Sequence, residues 1–182
     1  MTKKITLFVI TLFSLTIASA QVKLEKIKGS KIVTVTTKEI ESFENVEIEE
    51  FLDVYFVKNE KTSIEIEADD NLHDIISYTI LGNTLRITAL KQPTGEKKLT
   101  IRVNYNDSLK TIVARHESKI NALADISLEN ITIKNFDKSQ SFLNVKSTNF
   151  TLIMTDKSKA EINVKADKST IELSKDSCVK GL

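Results

Sequence analysis

The sequence predicts an all-β chain, built for most of its length as a β-solenoid, a β-helix-like stack of short strands, with a less regular β cap on its N-terminal side. Three observations carry this. Apolar and polar residues alternate in short runs almost throughout, the period-two pattern of half-buried strands. Near-identical polar corners return about every ten residues in the C-terminal half: Asp137-Lys138-Ser139, Lys146-Ser147, Asp156-Lys157-Ser158, Asp167-Lys168-Ser169 and Lys175-Asp176-Ser177. Finally, no glycine occurs between Glu96 and Lys180, so serial tight hairpins, which favour Asn-Gly or Asp-Gly, lack their turn residues.

The first twenty residues read as a signal peptide. Lys3 and Lys4 give a basic start, Ile5 to Ile17 is apolar and uncharged, and Ala18-Ser19-Ala20 offers small residues for cleavage before Gln21. The run is shorter than the roughly twenty residues that a membrane-spanning helix needs. Gln21 stands where a lipoprotein would carry cysteine. The expectation is an exported protein, periplasmic or on the cell surface, with residues 21–182 as one domain.

Strand patterns then follow at Ile32 to Val35, Val46 and Ile48, Val54 to Val57, Ile64 and Ile66, and Leu85 and Ile87. Asp69 to Ile80 has apolar residues three or four apart, but its second half is β-branched, which favours a turn followed by a strand. Lys91 to Glu96 reads as a loop, since it holds the single proline and one of four glycines. From Leu99 the pattern sharpens. Leu99, Ile101, Val103 and Tyr105 share a face, followed by Ile112 and Ala114, Ile120 and Ala122, Ile126 and Leu128, and Ile131 and Ile133. Phe150, Leu152 and Met154, then Ala160, Ile162 and Val164, then Ile171 and Leu173 continue it, with Glu161, Asn163, Lys165 and Glu172 turned to water.

An antiparallel meander shares this alternation. Corners of Asp, Asn, Lys and Ser, whose side chains bond the local backbone, suit wide bends repeated one above another, and so favour the solenoid.

Three stretches resemble the bacterial family of putative auto-transporter adhesins with the head GIN domain. They are Ser42-Phe43-Glu44-Asn45-Val46-Glu47-Ile48 with Leu52-Asp53-Val54-Tyr55-Phe56; Ile64 to Leu72 with Gly82-Asn83-Thr84-Leu85-Arg86-Ile87; and the short strands from Leu109 onward. The resemblance implies an exported β-solenoid of a Gram-negative envelope, with adhesion as the associated role and no catalytic fingerprint. The family's Ser-Gly corners are replaced here by His116-Glu117-Ser118, Asp137-Lys138-Ser139 and Asp167-Lys168-Ser169.

Charge and residue content narrow the function. Without Lys3 and Lys4, 24 basic residues face 25 acidic ones, a balance unlike that of nucleic-acid-binding domains. Asp69 with Asp70, Glu47 with Glu49 and Glu65 with Glu67 are the carboxylate pairs, and the four glutamates would share a face only if their strands were neighbours. His73 and His116 each lack a second ligand nearby, and Cys178 is alone and reads as a small apolar residue of the last strand. No Gly-x-Ser-x-Gly or phosphate-binding glycine loop occurs, and with no tryptophan and three tyrosines an aromatic sugar platform is poorly supplied. No catalytic, cofactor or metal residue is therefore assigned.

The functional expectation is a non-enzymatic surface module that offers a glycan or protein partner a polar ladder, drawn from Asp137, Lys138, Ser139, Asp156, Lys157, Ser158, Asp167, Lys168 and Ser169. A carbohydrate-active lyase or hydrolase on a β-helix and a purely structural envelope component are the alternatives. Asp107-Ser108-Leu109 is similar to an acceptor pattern for O-glycosylation in some Gram-negative envelopes, which marks Ser108.

Overall fold

A computed structural model describes residues 24–181. The signal-peptide expectation, on residues 1–20, lies outside the described residues. The described chain is all-β, as the alternation predicts, with one short 3₁₀ segment. Fifteen strands follow in order: β1 Lys26–Lys28, β2 Val33–Glu39, β3 Asn45–Ile48, β4 Asp53–Lys58, β5 Ser63–Asp69, β6 Ile76–Leu81, β7 Thr84–Ala89, β8 Gln92–Thr94, β9 Leu99–Tyr105, β10 Thr111–Ala114, β11 Lys119–Ala122, β12 Ile126–Asn135, β13 Gln140–Met154, β14 Lys159–Leu173 and β15 Cys178–Lys180. All but β1 and β8, which pair with each other, join one sheet that curls around an apolar core.

From β10 onward every pairing is parallel. Thr111 lies beside Thr132, Thr132 beside Thr151 and Thr151 beside Thr170; on a second side Lys119 lies beside Gln140, Gln140 beside Lys159 and Lys159 beside Cys178. Equivalent residues therefore recur every nineteen to twenty-one positions, about twice the beat read from the sequence. The beat of ten is half a repeat, because each repeat has two corners of different construction.

One corner is a true turn, at 115–118, 136–139, 155–158 and 174–177. The other is a slip within a continuous strand. Glu129, Thr148 and Asp167 fall between paired residues, and there alternation skips one position: Glu129 and Asn130, and Thr148 and Asn149, are consecutive exposed residues. Lys146-Ser147 and Asp167-Lys168-Ser169 belong to this second kind, inside β13 and β14, so the five corners expected as equivalents divide between two edges of the fold.

The core is built from matching columns. Leu85, Val46, Ile112, Ile133, Leu152 and Ile171 stack on one side, and Ile101, Val54, Ile120, Ser141, Ala160 and Val179 on another. Fully buried Asn135 ties neighbouring segments, accepting from Ser141 Oγ at 2.7 Å and donating Nδ2 to the Lys159 carbonyl at 3.1 Å. A buried amide satisfied at both ends fixes register where a leucine would not.

Chain order and spatial order part company in the N-terminal half. β3 is sandwiched between β7 and β10, and β4 between β9 and β11, so residues 84–105 lie outside residues 45–58 although they come later. Antiparallel strands finish that end: β6 pairs β7 through the Gly82-Asn83 turn, where Gly82 has φ of +58°, and β5 pairs β2 and β9. The Asp69–Ile80 segment is a 3₁₀ turn over Asp70–Ile75 followed by β6, in keeping with a turn then a strand. Leu72 and Ile75 from that turn close the core at this end. Lys91–Glu96 is less of a loop than expected, because Gln92–Thr94 pairs in parallel with Lys26–Lys28. Proline is tolerated there since β8 is short and has a single partner strand.

Candidate functional site: a stacked turn edge and the lysine-lined face beside it

Each true turn is closed by a bond from the N–H of its fourth residue to the carbonyl of its first: Ser118 to Arg115, Ser139 to Phe136, Ser158 to Thr155 and Ser177 to Ser174, at 3.1 to 3.3 Å. The second residue is left-handed in three of them, His116 at 55°, Asp137 at 59° and Asp156 at 58°. Aspartate tolerates this region better than most residues because its short side chain bonds nearby backbone. Here that bond runs between layers: Asp137 Oδ2 accepts from His116 N–H at 3.0 Å, and Asp156 Oδ2 from Asp137 N–H at 3.3 Å. Thr155 Oγ1 also donates to Asp156, and these two bonds hold its carboxyl below the usual range despite partial desolvation.

The fourth-position serines point inward. Ser118, Ser139 and Ser158 are fully buried, and the hydroxyls of Ser118 and Ser158 return to the carbonyl that opens their turn, at 2.8 and 2.7 Å. Two letters of the Asp-Lys-Ser signature thus have a structural cause: aspartate takes the left-handed position and bridges to the next layer, and serine is the small buried residue whose N–H closes the turn. Asp137→Ala is expected to destabilise by about 1–2 kcal/mol, combining left-handed strain with one lost bond, and Asp137→Gly by less. Urea denaturation of the two variants would separate the terms.

Lysine, the middle letter, faces water. Glu117, Lys138 and Lys157 occupy the third turn position in successive layers, and Lys119, Gln140 and Lys159 stand two residues on, in register. Together they line an open depression of about 520 Å³. Lys138 Nζ pairs with Glu117 at 3.0 Å, whereas Lys119, Lys157 and Lys159 enter no ion pair among the described residues. Next to it Phe142 projects outward, 42 % exposed, over a smaller hollow of about 150 Å³ lined also by Lys159, Glu161, Cys178 and Lys180. Outward asparagines extend the face, Asn163 donating to Asn144 at 2.8 Å; Asn149 donates to Asn130 at 2.7 Å at the slip corner, on the other edge.

Of the residues expected in one polar ladder, the structure brings together Asp137, Lys138, Ser139, Asp156, Lys157 and Ser158. Asp167, Lys168 and Ser169 stand elsewhere, in β14, with Lys168 beside Asn149 and Ser169 beside Phe150. Lys119, Gln140, Lys159 and Phe142 were not singled out from sequence; only the register places them next to the turns. Ser108 is exposed in the loop after β9, beside Asp107, which pairs with Lys58 at 2.5 Å.

The carboxylates do not gather. β3, with Glu47, and β5, with Glu65 and Glu67, are not neighbours, and each of these side chains has its own cation: Arg86 at 2.9 Å for Glu47, Arg102 for Glu65 and Lys98 at 3.3 Å for Glu67. Asp70 accepts from Ser30 Oγ at 2.5 Å. Half-buried Asp53 has its carboxyl pushed up by desolvation, against the opposing pull of the Asn121 amide and the Lys119 charge. His73 lies between the hydroxyls of Thr34 and Thr36 at 2.9 and 3.2 Å, and His116 Nδ1 is 3.1 Å from Glu50. Among the described residues no group of three or more His, Cys, Asp or Glu could hold a metal ion. Cys178 lies in the last strand, as expected, and is exposed because it continues the outward column of Lys119, Gln140 and Lys159.

Residues 42–181 match the family described as putative auto-transporter adhesin, head GIN domain. The chain belongs to this family. Its head GIN fold is similar to that of solved structures at low identity. One is a putative adhesin from Parabacteroides distasonis, 16 % identical with a TM-score of 0.72, covering 85 % of this chain and 67 % of that one. A putative lipid binding protein from the same species is 14 % identical at a TM-score of 0.69, over 82 % and 65 % of the two chains. A putative adhesin from Bacteroides fragilis is 12 % identical at 0.53, over 86 % and 100 %. This head GIN chain thus spans about two thirds of the length of the first two. No curated protein matches its sequence. Among the described residues no helix is long and apolar enough to cross a membrane.

Proposed function

We propose that this head GIN protein is an exported, non-enzymatic envelope or surface module, a single β-solenoid domain over residues 21–182 freed by cleavage after Ala20, and that it binds an anionic glycan along the lysine-lined face. The observation that carries this is the register of Lys119, Gln140 and Lys159 beside Lys138 and Lys157. Strands about 4.8 Å apart hold these cations in two rows on a rigid surface, so each successive charge of a polymer meets a further lysine. Phe142 adds an apolar surface for a sugar ring at the edge of the same face. The parallel pairing from β10 onward supports the solenoid reading, the adhesin descriptions of the family and its neighbours support an external partner, and the ion-paired, dispersed carboxylates support the absence of hydrolase chemistry. Ser108, exposed on a different loop, is free to carry an O-glycan without blocking this face.

The test is titration of polygalacturonate, with neutral dextran as control, followed by calorimetry. Reversing Lys119, Lys157 and Lys159 together to glutamate is expected to weaken polygalacturonate binding at least about tenfold without altering the fold, and binding should weaken as salt rises. Equal retention of dextran, or indifference to the charge reversal, would refute the reading and return attention to a protein partner or a structural role.

A further inference from the structure

The two ends of the stack are finished differently. At the N-terminal end the 3₁₀ turn buries Leu72 and Ile75 over the core. At the other end β15 covers only Lys159–Glu161 of β14, and among the described residues no strand lies against the outer edge of Lys168–Leu173. The core columns continue to this edge and are left open. Leu152 and Met154 are fully buried, while the next members of their columns, Ile171 and Leu173, are 38 % and 47 % exposed. An open strand edge that also exposes core side chains is a template for another strand.

We propose that the edge pairs with the same edge of a second copy, antiparallel about a twofold axis through Thr170. The backbone direction permits it. Ser174 N–H bonds the Met154 carbonyl, so by strand alternation residues 170 and 172 direct their N–H groups to β13, whereas Ser169, Ile171 and Leu173 direct theirs outward. With Thr170 opposite Thr170 of the second copy, Ser169 meets Ile171 in a hydrogen-bonded pair on each side of the axis. Inward faces then meet inward faces, and the exposed ends of the two cores become continuous.

The side chains select this register. On the outward face Lys168 stands opposite Glu172 of the other copy, twice, once on each side of the axis. Natural edges often carry a charge that repels a copy of themselves; the sequence Lys168-Ser169-Thr170-Ile171-Glu172 instead reverses its charge about its centre, the pattern an isologous contact requires. A shift of one residue in either copy would bring core positions against outward ones, and a shift of two would take Lys168 away from Glu172. The partner is therefore a second copy of this chain in one defined register. The inference stands on β14 alone and does not depend on glycan binding.

Sedimentation velocity of the purified protein from about 1 to 200 µM is expected to show a monomer converting to a dimer. Lys168→Glu and Glu172→Lys each place like charges opposite each other at two sites and are expected to weaken the dimer about tenfold, while the double reversal restores it to within about threefold. Ile171→Pro removes an outward N–H and no bond to β13, and should abolish the dimer while the circular dichroism spectrum stays that of the folded parent and melting falls only by the lost side-chain packing. A monomer throughout the range, a larger assembly, or a double reversal no better than its parents would overturn the proposal.

Discussion

Phe150→Ala is expected to cost about 3–5 kcal/mol, measured by urea unfolding, and to lower the melting temperature by about 10 °C. The ring is 1 % exposed, in the column that runs from Ile131 through Phe150 to Ser169. Because Ser169 is small and lies at the open end, and Ile131 is held by its own strand pairing, the neighbours have little freedom to fill the cavity, which places the loss in the upper part of the range. Phe142→Ala, in the same strand, is expected to change stability by less than about 0.5 kcal/mol, since that ring projects into solvent. Both positions are even-numbered on one continuous strand, so simple alternation would put them on the same face. The slip at Thr148 puts them on opposite ones. Equal losses for the two variants would contradict the second corner.

The second large effect belongs to Asp69, a buried carboxylate at the closed end. It accepts backbone N–H bonds from Lys31 at 2.9 Å, Lys97 at 3.1 Å and Lys98 at 3.0 Å, and so pins the loop before β2 to the loop before β9. Desolvation pushes its pKa up, but the three donors and the charge of Lys31 outweigh this and hold the carboxyl below its ordinary value. The sign of the pH effect follows. A group whose folded pKa is lowered contributes its full stabilisation above the unfolded value of 3.8 and loses it as pH falls through the lower folded value. Acid unfolding of the parent should therefore steepen below about pH 4, and Asp69→Asn should flatten that limb while lowering the melting temperature at neutral pH by about 5 °C or more, because an amide turns a donor toward groups that are themselves donors. Gly29→Ala should also destabilise this end, since a Cβ there would run into Asp69 Oδ2 and come within 2.8 Å of the Glu96 Cα. Identical acid limbs for the parent and the Asp69→Asn variant would remove Asp69 from this role.

Much of the candidate site could be read from residue types, because its turns are locally determined. Aspartate at a left-handed position and a turn closed by the serine N–H are short-range chemistry, so Asp137, Lys138 and Ser139 announce the same turn as Asp156, Lys157 and Ser158. The same signature misled at Asp167-Lys168-Ser169. There the composition of a corner occurs, but the strand runs through it, because its neighbours at 147 and 149 are extended and the ladder gives the backbone its bonds. Lys119, Gln140, Lys159 and Phe142 carry no local signal at all. Each is an ordinary outward residue of a strand until parallel register sets it beside the turns.

By itself the sequence determined the all-β class, the core and solvent faces of most strands, and the polar turns, since period-two alternation and turn closure act within a few residues. Tertiary structure alone decided which strands became neighbours: the nineteen-residue repeat, the insertion of residues 45–58 between residues 84–105 and 111–122, and the antiparallel closure of one end against an edge that is unpaired among the described residues at the other. Ladder bonds are the same for any sequence, so the choice among strands rests on how whole columns of side chains fill the core, and that sum exists only when the chain is folded.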